Sequence, residues 1–194
     1  MSTRTFAPVK PLRPVWQSAL LAALCSLAVA ASGVIVLGHD ALDSFAWNTW
    51  LLLGLAFAMS ISGATWAAAQ WMSPSGKASF GRPLAGLIIA ILGLAIGSET
   101  GPFKMIWAAK CFTIGSLAAL LSGLMLVVIF RRSAPIMRHR VAVAAGILAG
   151  FVGFLVIQVH CPINEFWHMM LGHALLPVIW GIAGYLLARL SWSR

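Results

Sequence analysis

Two cysteines stand at matching distances from one basic turn. Cys111 opens an apolar segment that runs to Phe130, Cys161 closes another that begins near Val141, and Arg131–Arg140 joins the two. Cys111 precedes Arg131 by 20 residues and Cys161 follows Arg140 by 21. If both segments are helices rising about 1.5 Å per residue, both thiols lie about 30 Å from the turn, at one level. Antiparallel neighbours pack with axes about 8–10 Å apart, so thiols on facing flanks could meet.

Two chemistries suit such a pair. One is a disulfide, reversible where the bond is strained or exposed. The other is a soft-metal site in which Cys111 and Cys161 are joined by the imidazoles of His160 or His168, a set suited to zinc, cadmium or copper(I). The stretch His160-Cys161-Pro162-Ile163-Asn164-Glu165-Phe166-Trp167-His168 is therefore the most chemically loaded of the chain. His173 lies five residues beyond His168, about 140° around an α-helix, and reads as a hydrogen-bonded packing residue off that face. A static disulfide staple explains the cysteine pair as well as a switch does. Cys25, in the middle of the first apolar segment, reads as a small buried residue. No cofactor is expected beyond the possible soft ion.

The elements that must position these residues are membrane helices. The chain of 194 residues is 61% hydrophobic and only 9% charged, with mean hydropathy +0.95. A soluble domain carries about 25% charged residues. Six apolar stretches follow one another, near Val15–Leu37, Trp47–Trp71, Pro83–Ser98, Phe112–Phe130, Val141–Val159 and Trp167–Ala188. The third is short and Gly-rich. The expected fold is all-α, a polytopic bundle of six transmembrane helices over residues 15–190. A leader over 1–14 and a short tail over 191–194 flank it. The first stretch exceeds the 7–15 residue core of a cleavable signal and reads as a helix of the bundle.

Charge orients the bundle. Arg4, Lys10, Arg13, Lys77, Arg82, Arg131, Arg132, Arg138, Arg140, Arg189 and Arg194 fall in the termini and two alternate loops. Asp40, Asp43, Glu99 and Glu165, the four acids, fall in the other three; only Lys104 and Lys110 run against the pattern. The positive-inside rule then makes both termini cytoplasmic and turns Cys111 and Cys161 outward. On the outward side of a bacterial inner membrane, the expected location, a disulfide can persist. The net charge of +9 thus meets lipid headgroups, and direct binding of nucleic acid is not expected.

The same inventory weighs against several functions. The middle of the bilayer holds no Asp, Glu, Lys or Arg, which coupled transporters place there. No Gly-Xaa-Ser-Xaa-Gly or His-Glu-Xaa-Xaa-His motif occurs, and four loop acids make a poor acid–base set, so no enzyme is expected. A quinone-linked thiol oxidoreductase would carry a Cys-Xaa-Xaa-Cys dithiol and a second pair. A small channel or transporter, or a thiol-redox membrane protein, with Cys111 and Cys161 as a staple remains the alternative. Ala142, Gly146 and Gly150, with Gly153, and Gly181 and Gly184 on the last segment, are small residues spaced for close helix packing. In the leader, Pro8, Pro11 and Pro14 favour extended backbone; it suits either lipid headgroups or a docking partner.

Four patches together resemble a known family, the six-helix bacterial anti-sigma factors of the NrsF type, negative regulators of extracytoplasmic-function sigma factors. They are Pro8-Val9-Lys10-Pro11-Leu12; Cys111; Arg131-Arg132-Ser133-Ala134-Pro135; and His160-Cys161-Pro162 with Phe166-Trp167-His168 and a Gly-rich final helix. The resemblance covers essentially the whole chain. It implies a bundle that holds a cytoplasmic sigma factor inactive and two outward cysteines, here Cys111 and Cys161, that sense redox or heavy-metal stress. It makes Val9, Lys10, Pro11, Leu12 and Arg13 the expected sigma-contacting element, with Arg131, Arg132 and the loop at Ser73–Arg82 sharing the task. The family's leader is longer and acidic, whereas residues 1–14 here contain no acid.

Overall fold

The structure, a computed structural model, describes residues 14–38, 45–71, 80–131 and 138–192. The expected leader contacts Val9–Arg13 and Arg132 lie outside them. All regular structure among the described residues is helical: α1 Val15–Leu37, α2 Trp47–Gln70, α3 Gly81–Gly97, α4 Met105–Arg131 and α5 Arg138–His160. A last, interrupted helix is built from α6 Phe166–Met169, a π turn Met170–Ala174 and α7 Leu176–Trp192. Five of these runs are long and apolar enough to cross a membrane, and α3 is a shorter apolar helix.

Burial ranks the helices. Most of α5 is buried inside the bundle, whereas most of α1 is exposed. The apolar face that α1 leaves outside, with Ile35, Val36 and Leu24 exposed, is what lipid covers. α5 is the central strut, and glycine lets its neighbours reach it. A Cβ on Gly146 would strike the carbonyl oxygen of Trp180 in α7, and one on Gly184 of α7 would strike that of Ala142 in α5. Gly153 meets the Gly115 carbonyl of α4 in the same way. In lipid, where burying a side chain brings no hydrophobic gain, such backbone approach is the chief source of packing attraction. α3 docks on α2 by the same device, with Gly86 against Ser60 and Ala56.

One end of the bundle is closed by rings and a guanidinium. Trp71 and Phe80 meet in a tilted contact with centroids 4.6 Å apart, and Arg140 lies 6.0 Å over the Trp71 ring. The opposite end carries the cysteines. There α4 starts at Met105, so Cys111 sits inside the second turn and does not open the helix. The extra turn includes Lys110, whose ammonium lies 4.6 Å over the Trp107 ring. A long stem and a cation–π contact let a lysine remain near a helix end without stopping it.

Candidate functional site

Cys111 and Cys161 meet. Their sulfurs are 3.4 Å apart, with the Cys111 thiol donating to Cys161, and both are free thiols. α4 and α5 run antiparallel, and the close approach at Gly115 and Gly153 draws their axes together just below the pair. Ile157 packs against the pair, and Ile114 and Ile163 flank it. The α5 helix ends at His160, the residue before Cys161 and Pro162. Proline cannot continue the hydrogen-bond ladder, so the chain turns there.

Beyond the turn, Glu165 restarts the helix. Its carboxylate accepts the backbone N–H of Trp167 at 3.0 Å and of His168 at 2.8 Å. That is an N-cap satisfying two of the donors a first turn leaves open. The loop is also tied sideways. The Glu99 N–H donates to the Asn164 carbonyl at 2.9 Å, and the Phe166 N–H donates to the Glu99 carbonyl at 3.1 Å. Asn164 Nδ2 adds a bond to Glu99 Oε1 at 3.2 Å. Two of the four acids of the chain thus brace the stretch that carries the histidines.

The cap aims His168 at the thiols. Its Nε2 lies 3.2 Å from Cys161 Sγ. Cys161, just past the end of α5, is held well below the ordinary thiol range. The Cys111 hydrogen bond is the largest cause and the His168 contact assists, while burial opposes them.

His173 is buried and hydrogen-bonded, as expected, but it joins the group, which corrects its placement off the His168 face. The 140° separation from His168 assumed α-helical winding. Instead the chain makes a π turn, with Leu175 N–H bonded to the Met170 carbonyl five residues back at 3.2 Å. Wider winding brings residues five apart over one another. The two imidazoles consequently stand edge to face with centroids 5.3 Å apart. Gly172 permits it: a Cβ there would stand 3.2 Å from the Ala108 carbonyl oxygen of α4.

The donor atoms of Cys111, Cys161, His168 and His173 all lie within 4.8 Å of one another, and all four residues are buried. His160 is not part of this group; it sits at the α5 terminus, half-buried, its Nδ1 without a hydrogen bond among the described residues. Gln158 was not anticipated. It is fully buried, and its Oε1 lies 3.1 Å from His173 Nδ1. The signal was present, since Gln158 is a lone amide in an apolar segment, three residues before Cys161 and so on its face of a helix. Arg131 closes α4 at the far end of the bundle, away from this group.

The family profile described as NrsF, negative regulator of sigma F, matches residues 3–192. No curated protein and no solved structure matches the chain.

Proposed function

The chain belongs to the NrsF family, the negative regulators of sigma F, and from that premise we propose that it is a membrane anti-sigma factor whose sensing element is the Cys111–Cys161 pair. The family match carries the regulator role. The 3.4 Å approach of two thiols at the end of the α4–α5 hairpin supports the sensing role. The partner is a cytoplasmic extracytoplasmic-function sigma factor. Val9–Arg13, with Arg131 and Arg132, are the residues we assign to holding it, at the end where the charges place the cytoplasm.

The route from thiol to sigma factor runs along α5. A chemical change at the sulfurs alters the spacing of the α4 and α5 ends. A disulfide would draw the sulfurs in to about 2.05 Å; an ion would hold them apart. α5 meets α7 through bare glycine at Gly146 and Gly184, a face on which one helix slides past another as a rigid body. The far ends of α4 and α5 belong to the basic turn expected over Arg131–Arg140. A sigma factor that contacts this turn more strongly in one state is released in the other.

Co-purification from native membranes in mild detergent, with and without residues 1–14, tests the assignment. A sigma factor should co-elute with the full chain and be lost on truncation. Retention after truncation would move the contact to the inner loops, and no sigma factor in either sample would revive the transporter reading. Cys111→Ser and Cys161→Ser should each fix a sigma-dependent reporter in one state, with induction by thiol or metal stress reduced at least tenfold. Normal induction in both variants would leave the pair a passive staple.

A further inference from the structure

We propose that Cys111, Cys161, His168 and His173 form a closed four-coordinate site for a divalent closed-shell soft cation, zinc or cadmium, with Gln158 as the residue that orients His173. The proposal deepens the sensing role above, on which its regulatory meaning rests, while the binding chemistry stands on the site itself.

Geometry is the first argument. A tetrahedral zinc ion with bonds of about 2.0–2.3 Å sets its ligand atoms about 3.3–3.8 Å apart. The two sulfurs are 3.4 Å apart, His168 Nε2 is 3.2 Å from Cys161 Sγ, and all four donors fall within 4.8 Å. Movements of about an ångström therefore close the shell. The π turn has the same purpose, because α-helical winding would carry His173 away.

Gln158 is the second argument, and it is independent. A fully buried amide in a helix of this bundle costs free energy unless it is used. Its carbonyl oxygen can only accept, so His173 Nδ1 is the donor in the 3.1 Å contact. That leaves the lone pair on Nε2, a buried atom with no hydrogen bond among the described residues. Fixing the tautomer through the remote nitrogen is how proteins prepare histidine for a metal.

Charge selects the ion. The loaded site holds both sulfurs as thiolates, the proton that Cys111 shares with Cys161 passing to solvent, and the two imidazoles bind neutral through their lone pairs. A divalent ion with two thiolates is then neutral overall, as a buried site at a membrane edge requires; copper(I) would leave a net negative charge. No carboxylate is available for calcium or magnesium, since Glu165 is occupied by the Trp167 and His168 N–H groups.

The test uses the full chain, purified in mild detergent, reduced and stripped of metal. Titration with zinc against a chromophoric chelator should give one ion per chain, with release of the proton shared by the two thiols. Cobalt(II) as a probe should give thiolate charge-transfer bands and the strong visible bands of a tetrahedral S2N2 centre. Gln158→Leu should weaken zinc about 10–100-fold and keep the cobalt spectrum, whereas His160→Ala should change neither. His168→Ala and His173→Ala should each cost more than Gln158→Leu and shift the cobalt bands.

Failure of the parent chain to bind zinc or give the cobalt spectrum overturns the proposal, whatever the variants do. Parent-like binding by both histidine variants would reduce the site to the two thiols and overturn it equally. Parent-like affinity in Gln158→Leu would remove the orienting role. Sigma co-elution, followed in the same samples, separates the two readings: retained sigma without zinc binding leaves the regulator intact, and zinc binding without sigma leaves the site.

Discussion

Cys161 is the residue on which the others converge. It accepts a hydrogen bond from Cys111 and shares one with His168, while Glu165 sets the turn that aims His168. Replacing Glu165 with alanine leaves two N–H groups without their acceptor. The loss of a cap costs about 1 kcal/mol, which in a chain of this size lowers the midpoint by about 2–4 °C. Thermal unfolding of metal-free protein in detergent should show that shift, and zinc affinity should fall with it. An unmoved midpoint would mean the cap is not sustaining the turn. The cysteines could be paired from sequence because height in a helix is a matter of counting from a basic turn. His173 could not, because counting at a fixed 100° per residue fails wherever the helix changes its winding. His160 attracted attention by adjacency to Cys161, yet neighbours in sequence at a helix end point in different directions.

At the scale of the element, the last helix departs furthest from expectation. Trp167–Ala188 reads as one uniform apolar run, and nothing in its hydropathy marks the break. Pro177, which has no N–H for the His173 carbonyl four residues back, and tertiary contacts both bear on it. Gly172 presses on Ala108, and Gly150 of α5 lies against Pro177 at the start of α7, so the helix must fit α4 and α5 at two heights. The extra residue of a π turn adjusts the phase between the two contacts. Deleting Leu171, whose side chain faces outward, should convert the π turn to α and leave His168 and His173 four apart, again on one face. Zinc stoichiometry and the cobalt spectrum should survive the deletion. An alanine inserted after Leu171 should abolish both. Loss of the site on deletion would show that the turn does more than set phase. The glycine faces, in contrast, were legible, since Ala142, Gly146 and Gly150 recur at helical spacing and α7 lies along them.

For the whole molecule, the order of the apolar stretches was legible, and all six appear as helices. Their arrangement was not. Nothing in composition distinguishes the buried α5 from the largely exposed α1, because lipid-facing and core-facing side chains are equally apolar. Nor could spacing reveal that Glu99, in the connection between α3 and α4, is bonded to the connection between α5 and α6. Ser98 is extended, with φ −94° and ψ 153°, the backbone that a following proline favours. Glu99→Pro should therefore remove both the N–H bond to the Asn164 carbonyl and the carboxylate bond to Asn164 Nδ2 while Ser98 keeps its backbone. It should leave zinc binding in place, while zinc-dependent release of the sigma factor, followed by co-elution, becomes partial. Complete release in that variant would show the two connections to be independent. Mechanically, the bridge is a yoke. If the sensing role proposed above holds, a pull at one sulfur would be shared between the α4–α5 pair and the α2–α3 pair, so one arriving ion would act on both together, and letting go would be a single concerted step, not a graded one.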